Sequence, residues 1–277
     1  MIKSLDPRVY QIGFLGLFLL VGIGARDWSL QPTVVATAIV GCAVNQFIAK
    51  SIFQPKENPL PSLQSSLITS LGLALLLRTN HPTTMLIAAT VAIWSKFLFR
   101  WDDKHFFNPA NIGIVAVVTL TGDAWVSPGQ WGEDWLYFLM FLAAGSLVLK
   151  KVGRWDTSVA FLVSYAAMEA ARSMYLGWTW DVWAHKMMSG SLLMFALFMV
   201  TDPRSIPNAK SARLVWSVAI AGATFILRNY YYVPSAVFYA LFIMSPLTLI
   251  LDAIWSAPEF SWEKLRSSFT LKTKLEA

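Results

Sequence analysis

Long apolar segments follow one another along this chain of 277 residues, with only short polar connections between them. Hydrophobic residues make up 56% of the sequence and charged residues 14%, whereas soluble domains carry about 25% charged residues. A chain this poor in charge cannot cover a water-facing surface with polar groups, so its surroundings have to tolerate apolar side chains, as lipid does. The sequence therefore predicts an all-α integral membrane protein.

A helix needs roughly 20 mostly apolar residues to cross a bilayer. Ten segments are candidates: 10–25, 32–53, 63–77, 83–100, 108–121, 134–150, 157–176, 187–200, 212–228 and 233–252. Three of them, 63–77, 108–121 and 187–200, are short for a full crossing. Short segments are typical of half-helices, which are tolerated where protein or a cavity covers their ends. We expect about ten transmembrane helices in one polytopic domain, residues 1–255.

The basic residues predict the orientation of the chain. If the N-terminus is cytoplasmic, ten crossings leave 17 of the 22 Lys and Arg residues on the inside. Cytoplasmic loops are enriched in these residues, so both termini are expected in the cytoplasm. The bilayer then accounts for the net charge of +6, and no nucleic-acid partner is expected. Residues 256–277 are predicted to form a cytoplasmic amphipathic tail, with Trp262, Leu265 and Phe269 on one face.

The two parts of the chain resemble each other, in halves of about 8–122 and 133–254. Segment 63–77 leads to Thr79-Asn80 before Pro82, and segment 187–200 leads to Thr201-Asp202 before Pro203. Because each half holds five predicted spans, an odd number, the second half would insert upside down. Inverted repeats of this kind place ligand sites near the midplane, at short or broken helices. The alternative is chance recurrence of small residues and prolines in apolar helices.

Two asparagines mark the first candidate site. Pro109 suits the first turn of a helix, where its missing N–H costs nothing, so Asn108 lies at the N-cap and Asn111 three residues further on. The pair is predicted to present two amides to a polar ligand. The alternative is capping alone, since Asn is a preferred N-cap residue.

Polar residues at span ends and inside spans give further candidates for an ion or solute pathway. Thr201-Asp202 and its counterpart Thr79-Asn80 either bind a cation or cap the following helix. Glu169 lies inside a predicted span, where a carboxylate is a functional hypothesis by default. Arg172 is at i+3 on the same helical face, so a structural ion pair is the alternative.

Ser189-Gly190 opens the segment 187–200 with small residues. This pattern permits either close approach to a planar ligand or close helix packing. No motif of a soluble enzyme is present, so no catalytic residue is predicted. The three histidines fall at predicted helix ends, so no metal site is predicted either.

These motifs together resemble a known family. Phe107-Asn108-Pro109-Ala110-Asn111, then an outside loop, then a helix that contains Ser189-Gly190 and ends at Thr201-Asp202-Pro203, are similar to the membrane family of RnfD and NqrB. The resemblance covers roughly residues 60–255. It implies a urea-transporter-like fold of two inverted five-helix halves, located in the inner or plasma membrane of a prokaryote. It also implies electron transport, coupled to ion movement, together with other membrane or redox subunits.

The resemblance also implies flavins. Family members carry FMN on a threonine of an S/T-G-A-T motif after the fifth span, and a second flavin can sit near the asparagine helix. This chain has only the fragment Thr121-Gly122, so covalent FMN is not expected and a non-covalent flavin, FMN or riboflavin, is. In its short loop it is similar to RnfD-like proteins encoded near enediyne biosynthesis genes. The alternatives are a small-solute or ion channel or transporter on the same scaffold, and an assembly factor.

Overall fold

The computed structural model describes residues 6–25, 31–102, 104–126 and 135–262. These residues fold almost entirely into helices joined by short loops. The α-helices are α1 (Pro7–Ala25), α2 (Pro32–Phe53), α3 (Leu63–Leu76), α4 (Pro82–Leu98), α5 (Pro109–Leu120), α6 (Trp135–Val152), α7 (Trp155–Leu176), α8 (Trp180–Met187), α9 (Gly190–Met194), α10 (Lys210–Asn229), α11 (Ala236–Met244) and α12 (Leu247–Ile254).

Short irregular elements connect these helices. A 3₁₀ turn, Leu60–Ser62, leads into α3, and a π-helical turn, Phe195–Met199, continues α9. Two antiparallel strand pairs are formed by β1 (Leu77–Thr79) with β4 (Ala124–Val126) and by β2 (Arg100–Trp101) with β3 (Lys104–His105). The strands are two or three residues long and connect the ends of neighbouring helices. The fold is therefore still all-α.

The helices correspond to the ten predicted segments to within about three residues at each end, with two differences. Segment 187–200 begins as a helix only at Gly190, and α8 precedes it where the sequence pattern predicted a loop. Segment 233–252 is broken between α11 and α12 at Ser245-Pro246, because proline has no N–H for the helical hydrogen-bond ladder.

Length and composition qualify three helices of the described chain to cross a membrane alone: Pro7–Gly24, Pro32–Phe53 and Lys210–Asn229. Two bent pairs qualify as broken spans. They are α8 with α9 and its π turn, bent by 48°, and α11 with α12, bent by 47°. This gives up to five spans, while α3, α4 and α5 are shorter apolar helices. The count of ten crossings stays a prediction.

Local sequence fixes where several helices begin and end. Prolines open α2, α4 and α5, since the first helical turn needs no backbone donor. Gly177 ends α7 in the left-handed conformation, with φ 68°, and its N–H bonds back to Ser173 and Met174.

The packing of the helices divides the bundle into two similar groups. In the first group α2 packs on α4, α4 on α5, and α1 on α3. In the second group α7 packs on α10, α10 on α11, and α6 on α9. Contacts of α1 with α6 and of α5 with α11 join the groups. At the first of these contacts the buried rings of Phe18 in α1 and Phe141 in α6 meet edge to face, with centroids 4.6 Å apart.

The contact between α4 and α5 depends on a glycine. A Cβ atom placed on Gly113 would lie 2.6 Å from the carbonyl oxygen of Ala88 and 3.0 Å from the Cβ of Ala92. Both neighbours belong to α4 and the oxygen is backbone, so the helices would have to separate. Gly222 in α10 provides a contrast, because its nearest obstacle, the Met168 methyl group, is 4.0 Å away.

We expect Gly113→Ala to destabilise the protein by about 1–3 kcal/mol, the usual cost of overpacking. Gly222→Ala is the matched control. It should be neutral or stabilising by up to about 1 kcal/mol, since alanine favours the helix. Thermal unfolding of both variants in the same detergent checks this. Equal midpoints for the two variants would contradict the close contact of α4 with α5.

Candidate functional site

Four of the residues singled out in the sequence meet at one cavity. Asn108, Pro109, Thr201 and Asp202 line a cavity of about 100 Å³ between α3, α6 and the α9–π segment. We call it the interhelix cavity. Its walls come from the short helices of both groups, and its polar side chains come from the start of α5 and the end of the π turn.

Asn108 holds two elements together at this cavity. Its side-chain oxygen accepts a hydrogen bond from the Asn111 N–H at 3.0 Å, which is an N-cap. Its Nδ2 donates to the carbonyl oxygen of Met199 at 3.1 Å, across to the end of the π turn. Capping, one of the two interpretations of this residue, is therefore observed, and the amide nitrogen serves a helix contact.

Asn111 makes the equivalent contact one turn further along α5. Its Nδ2 donates to the Phe238 carbonyl oxygen of α11 at 3.1 Å, while its Oδ1 is buried without a hydrogen-bond partner. A buried acceptor without a partner is uncommon in native structures. Asn111 does not line the interhelix cavity, so its role is the contact of α5 with α11.

Asp202 belongs to a charged cluster at the rim of the cavity. Its Oδ2 lies 3.5 Å from Nε2 of the buried His105, at the outer limit of a hydrogen bond, so the contact is weak. Its Oδ1 accepts the Arg204 N–H at 3.2 Å. The neighbouring Thr201 hydroxyl donates to Leu197 within its own turn.

A second, larger cavity adjoins the first. It has a volume of about 650 Å³ and lies where α2 and α4 end. We call it the basic vestibule, because six Lys and Arg side chains line it against two Glu side chains. The residues that line both cavities are Arg8, Ser65, His105, Pro203, Arg204 and Trp262.

Thr79 and Asn80 do not line the interhelix cavity. Thr79 is in β1, and the Asn80 N–H bonds to the Asp123 carbonyl oxygen at 3.2 Å. Asp123 also accepts from the Thr84 hydroxyl, from the His81 N–H and from His81 Nδ1. The Thr84 hydroxyl and the His81 contacts lower the pKa of Asp123 to about 2. This cluster closes the loop between α3 and α4.

Glu169 forms a separate buried cluster. Its side chain is fully buried, and its carboxylate receives Lys186 Nζ at 2.6 Å and Asn229 Nδ2 at 2.7 Å. Glu169 thus pairs with Lys186 and not with Arg172, the partner that the i+3 spacing predicts. Arg172 lies over the ring of Trp178 at 4.7 Å. The difference arises because α8 folds back along α7, where Trp183 donates to the Ala166 carbonyl oxygen.

Ser189 and Gly190 lie at the break between α8 and α9. Ser189 lines a small cavity of about 20 Å³ together with Arg228, Pro234 and Phe238. A cavity of this volume is too small for a planar ligand. The buried Gly190 packs at the start of α9. These two residues are not brought together with Asn108.

Lys96 is a functional candidate that the sequence reasoning missed. It lies in the last turn of α4, is 8% exposed, and lines the basic vestibule. A lysine inside the predicted span 83–100 is a signal of the same kind as Glu169, so the sequence did contain it. His105 gave no such signal, because it lies outside the predicted spans, in the short strand β3.

The helical architecture and the buried polar clusters define the class of protein, a polytopic helical membrane protein. A sequence profile of the NQR2, RnfD, RnfE family matches residues 119–260, about half of the chain. The chain belongs to this family and is an integral membrane protein.

Individual proteins similar to this chain bear names from the same family. The chain is 27% identical over 128 residues to the RnfD subunit of the ion-translocating oxidoreductase complex from Stutzerimonas stutzeri, covering 46% of this chain and 36% of the relative. It is 28% identical over 122 residues to the protein of the same name from Tolumonas auensis, with coverage of 43% and 35%. The chain thus spans about a third of the length of the curated relatives it matches.

Substitutions at Asn108 separate its two contacts. Asn108→Ala removes both the cap and the bond to Met199, and we expect a loss of roughly 1–3 kcal/mol of stability. Asn108→Ser keeps a capping oxygen but cannot reach Met199, so its loss should be smaller. Unfolding in detergent measures both. Equal losses for alanine and serine would mean that the cap contributes nothing.

The Glu169–Lys186 pair is suited to a double-mutant cycle. Glu169→Gln or Lys186→Met alone leaves a buried charge without its partner, and each should cost about 3–5 kcal/mol. The double variant should lose far less than the two single losses together, because neither charge remains. Arg172→Met serves as the control with a small effect. Additive losses in the cycle would disprove the pair.

Proposed function

We propose that this chain is a membrane component of an ion-translocating oxidoreductase complex and works in electron transport with other membrane or redox subunits. The observation that carries the proposal is membership of the NQR2, RnfD, RnfE family over residues 119–260. The curated relatives support it, since they are RnfD components of ion-translocating oxidoreductase complexes. The family match includes Thr201 and Asp202 of the interhelix cavity.

The proposed architecture is ten crossings in two inverted halves, with both termini in the cytoplasm. Two features support the repeat. The helix pairs α2–α4, α4–α5 and α1–α3 recur in order as α7–α10, α10–α11 and α6–α9. An aspartate close to the end of each half also accepts a backbone N–H from the loop after the short helix of that half, Asp123 from His81 and Asp252 from Asn208.

We propose that the cofactor is a non-covalent flavin in the joined cavities. Ligand pockets usually measure about 300–1,000 Å³, so a three-ring flavin exceeds the 100 Å³ interhelix cavity but fits the 650 Å³ vestibule next to it. Phe97, Phe260 and Trp262 are among its lining residues. The Asn108 amide donates to the Met199 carbonyl oxygen, so we propose that Asn108 shapes the inner end of the site.

A bound flavin would supply electron transfer in one-electron or two-electron steps. The residues of this chain would position the ring and exclude water from it. We do not propose a covalent flavin, because Thr121-Gly122 is only a fragment of the anchoring motif. Residues 127–134 of that loop lie outside the described chain.

The visible absorbance of the purified protein, before and after acid precipitation, tests the cofactor. We expect flavin bands that leave with the supernatant, as a non-covalent flavin does. Trp262→Ala should lower the ratio of flavin to protein. Trp255→Ala, an exposed tryptophan of the same terminal stretch that lines neither cavity, should not.

A second function shares the same scaffold. The interhelix cavity lies between short helices of both halves, as substrate sites do in inverted-repeat transporters. A small-solute or ion channel or transporter would then use Thr201, Asp202 and Asn108. Protein without flavin that carries solute into proteoliposomes, with flux reduced by Asp202→Ala, would favour this function over electron transport.

A further inference from the structure

We propose that the basic vestibule binds a phosphate-class anion, with Lys96 as its buried charged contact. The anion is either the headgroup of an anionic phospholipid or a free phosphate. The proposal does not depend on the flavin, because it rests on the α2 and α4 side of the vestibule.

The charges that line the vestibule are unequally compensated. The positive side chains are Arg8, Lys50, Lys96, Arg100, Lys104 and Arg204, and the negative ones are Glu57 and Glu259. Arg8 pairs with Asp6, Lys50 with Glu57, and Lys104 with Asp252. Lys96 is in none of these three pairs.

Lys96 has no carboxylate within 4 Å among the described residues. Its Nζ donates to the Ser65 hydroxyl at 3.1 Å and lies 3.4 Å from the Ser65 carbonyl oxygen. Buried ammonium groups are costly unless paired. Lys186 differs in this respect, because its Nζ lies 2.6 Å from the buried carboxylate of Glu169. An anion in the vestibule would supply the charge that Lys96 lacks.

Gln46 is a second buried polar side chain on the same side of the vestibule. It is 4% exposed and lines the vestibule from α2, and its Oε1 is buried without a hydrogen-bond partner. The oxygen and nitrogen of such an amide are distinguished only by their hydrogen bonds. Rotating the amide by about 180° places the NH2 group where the unpartnered oxygen was. That group could then donate a hydrogen bond to a phosphate oxygen.

The chemistry of the lining suits an anion with several acceptor oxygens, as phosphate has. The ammonium and guanidinium groups of the lining, together with the Ser65 hydroxyl, can donate hydrogen bonds, and phosphate has several strong acceptor oxygens. The volume of about 650 Å³ admits a headgroup or a pyrophosphate.

Thermal unfolding of the full chain in neutral detergent tests the proposal, with two separate probes. One probe is sodium pyrophosphate and the other is phosphatidylglycerol added to the micelles. Sodium chloride at equal ionic strength is the reference for screening. For wild type we expect one probe or both to raise Tm by about 2–4 °C in a saturable manner, as ligand binding to the folded state does.

Variants assign the effect to Lys96. Lys96→Met should lose the shift while its Tm without probe stays equal or rises, because an apolar isostere removes a buried charge. Lys96→Arg should keep most of the shift. Lys150→Gln, an exposed residue that does not line the vestibule, is the matched control and should respond as wild type does.

The two arms also identify the source of the anion. A shift with phosphatidylglycerol alone supports a lipid headgroup, and a shift with pyrophosphate alone supports a free phosphate. A wild-type protein that responds to neither probe beyond sodium chloride overturns the proposal whatever the variants do. So does a Lys96→Met variant that responds as wild type does. The flavin spectrum is read separately, so either proposal can fail alone.

Discussion

Helices that end inside a bundle leave backbone carbonyl groups without partners, and closing those ends is the constraint on which this structure depends. In a bilayer no water is available to satisfy them. The chain supplies side-chain donors from other helices instead. Asn108 bonds to Met199, the last residue of the π turn, and Trp216 bonds to Met244, the last residue of α11. Each broken helix is therefore also fastened to a neighbour.

The same constraint explains why the buried polar groups occur in clusters. Asp156 and Arg213 are both about 95% buried and meet at 2.8 Å, and Arg213 also donates to the Asn208 carbonyl oxygen. Asn208 in turn donates to Asp252, which holds Lys104. A network like this satisfies charges that could not be buried singly. It fastens the loop after the π turn to α7, α10 and α12, and so positions Asp202 beside the interhelix cavity.

Local chemistry could be predicted from the sequence, and long-range pairing could not. Pro109 and Asn108 predicted the start of α5 and its cap, because both are decided within one helical turn. The partner of Glu169 depended on α8 folding back over α7, which brings Lys186 closer than Arg172 although it is further along the chain. The vestibule could not be predicted, since its walls come from α1, α2, α3, α4 and four connecting or terminal stretches. Lys96 was visible in the sequence, but only the structure reveals that it lacks a carboxylate.

The excess of basic side chains in the vestibule affects which ions could pass through it. A cation entering it would approach Lys96, whose charge is not matched by any described carboxylate within 4 Å, and like charges repel strongly where the surroundings exclude water. Glu169 does not offer an alternative cation site, since Lys186 already occupies its carboxylate. Asp202 remains as the acidic group at the interhelix cavity, with the weakly held His105 beside it. The anion proposed at Lys96 would lower this electrostatic barrier for a cation that approaches Asp202 through the vestibule.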